Sequence, residues 1–140
     1  MNFLFKVGAL RQVLSKNASV APIVARFKSG SFKVQDEKDF LERIENSKGK
    51  EPIIVDFFAN WCGPCKVLEP RLANVIAKRA GKISLAKVDI DDMAEVAAKY
   101  DVGSIPALVV FRNGKVEERL VGLQDEDKLG IWVDKVLDKK

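Results

Sequence analysis

The run Ile53-Ile54-Val55-Asp56-Phe57-Phe58 has the length of one β-strand and is apolar at consecutive positions. A strand with one wet face alternates apolar and polar residues, whereas a continuously apolar run needs cover on both faces. The run therefore reads as a strand covered on both faces, within a mainly buried sheet. One carboxylate interrupts it. An acid among Val55, Phe57 and Phe58 is costly to bury unless it is paired or protonated, which makes Asp56 a candidate for chemistry. The plainer alternative is an exposed position on an irregular strand.

The surrounding segments alternate in type, as an α/β domain requires. Residues 31–34, SFKV, read as a short strand. Asp36 can cap a helix running to about Asn46 with Phe40, Leu41 and Ile44 inward. A long helix is expected from Cys62 to Arg79, with Leu68, Leu72, Val75 and Ile76 as its stripe, a bend at Pro70 and Gly81 just past its end. ISLAKVDI, residues 83–90, reads as a strand, and Met93, Val96, Ala97 and Tyr100 mark a short helix. Ala107 to Arg112 and Lys115 to Val121 flank Asn113-Gly114, a strong hairpin signal. Asp125 then caps a closing helix with Leu129, Trp132, Val133, Val136 and Leu137 on its inner face.

Charge separates the N-terminus from the rest. The 140 residues carry a net charge of +4. Residues 1–35 hold Lys6, Arg11, Lys16, Arg26, Lys28 and Lys33 and no acid, which leaves 18 basic and 20 acidic residues beyond them. The domain proper is therefore slightly acidic, and a nucleic-acid partner, which would need a basic stripe on the folded surface, is not expected. In the N-terminal stretch Phe3, Val7, Leu10 and Leu14 recur at helical spacing, with Lys6, Gln12 and Lys16 elsewhere on the wheel. This basic, acid-free amphipathic pattern is that of a mitochondrial transit peptide over residues 1–28, with processing near Arg26-Phe27-Lys28-Ser29. A secretory signal would need the apolar centre that Lys6, Arg11 and Gln12 break. An untargeted N-terminal arm is the plain alternative. No apolar run approaches membrane-spanning length, so no membrane partner is expected.

The chain has 2 cysteines and no histidine. The missing imidazole excludes Ser-His-Asp and Cys-His nucleophile pairs and histidine metal sites. Both cysteines lie in NWCGPCK, residues 60–66. Cys62 and Cys65 stand three residues apart where a buried strand gives way to a helix, so one turn brings the sulfurs together. The free amides and positive end of a helix N-terminus favour an anion, so the first thiol should ionise more easily than a free cysteine. Zinc would need further ligands that the chain does not supply beside this pair, and no metal is expected. An inert structural disulfide over so short a loop would remove little unfolded-state entropy.

Trp61-Cys62-Gly63-Pro64-Cys65 resembles the active-site motif of the thioredoxin family. The resemblance extends through VDFFANWCGPCK (55–66), Pro70, AKVDID (86–91), YDVGSIPALVVFRNG (100–114) and VGL (121–123), in order, from about residue 31 to the end. With the N-terminal stretch, the chain resembles the mitochondrial members of that family. The resemblance implies a thioredoxin fold over residues 29–140, with a central mixed sheet of five strands flanked by four helices. It further implies that Cys62 is the attacking thiolate, that Cys65 resolves the mixed disulfide, and that Gly63 and Pro64 tune the pair toward reduction. The aspartate matching Asp56 is buried behind the second cysteine in this family and helps to deprotonate it, and Lys87 matches its pairing partner. Burial should raise the Asp56 pKa and Lys87 should lower it, with burial expected to win.

Ile105-Pro106 resembles the family's cis-proline loop. Trp61, Gly103, Ile105, Pro106 and Gly122 would then surround Cys62 with a flat, mostly apolar surface for substrate segments. Two positions depart from the common pattern: Phe58 where many members have tryptophan, and Asn60 where an acid is common. The function implied is a monomeric protein-disulfide reductase without a bound cofactor, recycled by a thioredoxin reductase that uses NADPH, and serving oxidised clients such as peroxiredoxins in the mitochondrial matrix. Oxidase and isomerase relatives usually carry histidine in the central dipeptide, which Gly63-Pro64 lacks. A redox-dependent binding module that holds a partner in its reduced state is the non-catalytic alternative.

Overall fold

The computed structural model of the chain describes residues 30–139, and the targeting helix and processing region expected at residues 1–28 lie outside the described residues. The strands are β1 (Gly30–Lys33), β2 (Ile53–Phe58), β3 (Ser84–Asp89), β4 (Ala107–Arg112) and β5 (Lys115–Val121). Between and after them lie α1 (Glu37–Phe40), which continues as a π-helical turn (Leu41–Glu45), then α2 (Gly63–Ala77), α3 (Ala94–Lys99) and α4 (Glu126–Asp138). The five strands form one mixed sheet in the order β1-β3-β2-β4-β5. β3 runs parallel to both β1 and β2, and β4 is antiparallel to β2 and β5.

The apolar run of β2 is central and covered on both faces, as its composition demands. Val55 and Phe57 join Ala86, Val88, Val109 and Phe111 against Phe40 and Ile44 on one side and Val96 and Ala97 of α3. Ile54, on the opposite face, joins Leu85, Leu108 and Val110 beneath Leu68, Leu72 and Val75 of α2 and Leu129, Val133 and Val136 of α4. Alternation along β2 therefore directs Asp56 toward the α2 face. Trp132 and Leu137 pack against this second core only partly buried.

Local chemistry explains most of the boundaries. Asp36 and Asp125 cap α1 and α4 by accepting the amides of Asp39 and Lys128. Pro64 occupies the first turn of α2, where no intrahelical donor is lost, and Pro70 lies inside a helix that continues to Ala77. Asn113 and Gly114 adopt φ of 54° and 77°, the two left-handed positions that a tight hairpin turn requires. At Gly114 a Cβ would also collide with the backbone carbonyl of Glu45.

Three expectations change. Leu41 is exposed, because only Phe40 and Ile44, four residues apart, reach the sheet from this short segment. The segment's last turn widens, with the Asn46 amide donating to the Leu41 carbonyl five residues back. Helix α2 begins at Gly63 instead of Cys62 and ends at Ala77 instead of Arg79; Gly81, with φ of 84°, follows in the turn.

Candidate active site

β2 delivers the chain to the C-terminal end of the sheet, and the turn Ala59-Asn60-Trp61 leads directly into α2. Cys62 is the N-cap of that helix, with extended backbone (φ −88°, ψ 107°), and its sulfur accepts the Cys65 amide at 3.2 Å. The N-terminal turn places the Cys62 and Cys65 Cα atoms 5.3 Å apart, and the two sulfurs are joined as a disulfide. Their residues are 5% and 6% exposed, so little of the pair meets solvent.

Ala59, Phe58, Ile90 and Ile105 pack around the pair. Ile105 is contributed by the loop before β4, and its bond to Pro106 is cis, in agreement with the expectation for that loop. The Gly122 amide donates to the Pro106 carbonyl at 2.8 Å, which ties the end of β5 to the same loop. Gly103 lines a small cleft with Asp101, Ser104 and Arg119, while Ile105 is the residue of that loop that packs on the disulfide. Gly63 and Pro64 are exposed on the first turn of α2. Trp61 is 69% exposed, an apolar platform beside Cys62 whose orientation is fixed by one bond from indole Nε1 to Asp91 Oδ2 at 3.0 Å.

Asp56 lies on β2, six residues before Cys62 in the strand that leads to the site. It is 4% exposed, and its Oδ1 is buried with no hydrogen-bond partner among the described residues. Burial pushes its carboxyl up to about 7; the Lys87 charge pulls it down and the Glu69 charge pushes it further up. Burial wins, as expected from the apolar run. The expected pairing with Lys87 does not form. Lys87 is directly opposite Asp56 in the β2–β3 register, but its Nζ is bonded to Glu69 on α2 and lies 5.2 Å from the Phe58 ring centroid. The physical reason is competition: Glu69 offers a carboxylate at the solvent-facing end of a flexible lysine, where the ammonium keeps part of its hydration.

Sequence reasoning passed over two residues here. Glu69 follows Cys65 by four positions, the spacing that places side chains on one helix face, and this was its only signal. Asp91 ends the AKVDID segment, but nothing local links it to an indole 30 residues away. Asn60, where an acid is common in the family, donates to the Asp89 carboxylate at 3.3 Å; a second carboxylate there would face Asp89 without that bond. Among the described residues, no group of three or more His, Cys, Asp or Glu side chains could hold a metal ion.

The thioredoxin family model matches residues 31–135. The chain is 46% identical over 109 residues to mitochondrial thioredoxin of Bos taurus, covering 78% of this chain and 64% of that one. It thus spans a little under two thirds of the length of that relative. Over 101 residues it is 41% identical to thioredoxin of Staphylococcus aureus, covering 72% of this chain and 93% of that one. Among solved structures, a mutant thioredoxin from Halobacterium salinarum superposes with a TM-score of 0.69 at 30% identity, over 81% of this chain and 96% of that one. With its helix-capping disulfide, cis-proline loop and mixed five-stranded sheet, the chain belongs to the thioredoxin family.

Proposed function

We propose that this chain is a protein-disulfide reductase working by dithiol-disulfide exchange through Cys62 and Cys65. The observation that carries the reading is Cys62 at the N-cap of α2, its sulfur held by the Cys65 amide and joined to Cys65. In the reduced form the same amide is placed to hold a Cys62 thiolate. That thiolate attacks one sulfur of a client disulfide, forming a Cys62–client bond and releasing the other client sulfur, which takes up a proton. Cys65 then gives its proton to the Asp56 carboxylate and attacks the Cys62 sulfur. The Cys62–client bond breaks, the Cys62–Cys65 disulfide forms, and the second client sulfur leaves and is protonated. Each cycle moves two electrons and two protons to the client, and an external dithiol must restore them.

Trp61, Gly103, Ile105, Pro106 and Gly122 would bind the client segment, Gly63 and Pro64 would tune the pair, and Asp56 and Lys87 would set the proton balance. A thioredoxin reductase is the fitting electron donor, with NADPH used by that partner and no cofactor held here, and oxidised proteins such as peroxiredoxins are the fitting clients. A mitochondrial location, with the matrix as the compartment proposed, is supported by the name of the Bos taurus relative and by the acid-free basic stretch at residues 1–28.

The test is reduction of insulin disulfides by residues 29–140 with a thioredoxin reductase and NADPH. Turnover that Cys62→Ser abolishes is expected, and no turnover would overturn the reading. Import of a tagged full chain into isolated mitochondria, lost when residues 1–28 are deleted, tests the location.

A further inference from the structure

The surroundings of Asp56 bear on how its proton is controlled. Its carboxyl is buried on the α2 side of β2, with Oδ1 unpartnered among the described residues. Lys87, opposite it on β3, is the cation nearest in register. The Lys87 ammonium is nevertheless drawn to Glu69 on α2, whose side chain is 54% exposed against 22% for Lys87. Glu69 stands one helical turn beyond Cys65 on the same helix, so one face of α2 presents both a reacting sulfur and the anion that takes the lysine. From β4 the residue in register with Asp56 is Leu108, which is apolar and buried, so β4 contributes no charge there.

We infer that Glu69 is a positioning residue for this site: by binding the Lys87 ammonium it keeps that charge off the Asp56 carboxyl. The consequence follows from charge balance. A carboxylate that must accept a thiol proton works best when its affinity for protons is not far below that of the thiol. An unneutralised lysine close to Asp56 would stabilise the carboxylate and weaken it as a base. Bound to Glu69, Lys87 only partly offsets the burial of Asp56, and the carboxyl titrates near neutrality. The resolving step then runs with Asp56 taking the Cys65 proton and returning it to the departing client sulfur, with no net change at the carboxyl. The kinetic part of this inference depends on the reductase reading above, whereas the electrostatic part does not.

The test is a carboxyl-carbon NMR titration of Asp56 in the oxidised full chain, for wild type, Glu69→Gln, Lys87→Gln and the double variant. Glu69→Gln is expected to lower the Asp56 midpoint by about one pH unit, the size of shift a nearby opposite charge produces. In the Lys87→Gln background the same substitution should shift it less, by the direct Glu69 charge alone, because the larger part of the effect passes through the lysine. A midpoint unmoved by Glu69→Gln, or moved equally with and without Lys87, overturns the inference. The pH profile of single-turnover release from a Cys62 mixed disulfide should move in the same acidic direction, and an unmoved profile would remove Glu69 from the reaction. If the wild type cleaves no client disulfide at all, the reductase reading fails while the titration still decides the role of Glu69.

Discussion

Asp56 and Lys87 are directly opposed in the parallel β2–β3 ladder, yet the lysine is bonded to Glu69 and the aspartate keeps a buried, unpartnered oxygen. A carboxyl so placed carries its proton to higher pH when folded than when unfolded.

That proton sets the pH dependence of stability. The folded Asp56 titrates near 7 and the unfolded one near 3.8, so the native state binds more protons between these values and loses stability as pH rises through them. Asp56→Asn removes this loss. The variant should match wild type below pH about 4 and exceed it by up to about 4 kcal/mol by pH about 8. Denaturant midpoints measured across this range check it; parallel curves for the two proteins would show that burial does not govern Asp56. Single-turnover release of a mixed disulfide should slow by about tenfold or more in the variant, while the first attack by Cys62 persists.

Cys65→Ser removes the resolving sulfur and leaves the N-cap and its surroundings in place. It should accumulate covalent conjugates with oxidised clients, visible on non-reducing gels and released by dithiothreitol. Cys62→Ser should form none, since Cys65 lies inside the first turn of α2 and the N-cap sulfur that accepts its amide is gone.

Gly114→Ala should destabilise the fold by about 3 kcal/mol or more. The added Cβ needs a left-handed conformation at φ 77° and meets the backbone carbonyl of Glu45, which side-chain motion does not relieve. Thermal unfolding reads the loss. An unchanged midpoint would mean that the hairpin turn can withdraw from the π-helical turn without cost.

Tyr100→Phe should cost about 1–2 kcal/mol without changing disulfide exchange. The ring packs at 5.0 Å from Phe111 and 5.7 Å from Phe40, contacts that phenylalanine retains. What is lost is the hydroxyl donated to Glu45 Oε1 at 2.6 Å; burial, and then that bond, hold the phenol above its usual range. Glu45 keeps its bond from Lys99 at 2.7 Å. Chemical denaturation at neutral pH measures the difference.

The order of elements, the strand covered on both faces and the position of the thiol pair were determined by the sequence alone. Each follows from short-range physics: the apolar run at 53–58 needs two covered faces, Asp36 and Asp125 cap their own helices, Asn113-Gly114 closes its own turn, and three residues separate two sulfurs at a helix start. The family resemblance added the cis peptide at Pro106, to which the local sequence alone assigns no isomer. Tertiary structure decided the rest. Whether Leu41 meets the sheet depends on how a short helix is laid across it, and whether Trp61 is anchored depends on Asp91 arriving from beyond β3. The partner of Lys87 is the clearest case. Strand register brings it to Asp56, but helix packing brings Glu69 within reach of the same ammonium, and the more hydrated site takes it. A choice between two acids on different elements turns on distances and desolvation that exist only once the sheet and α2 are packed together.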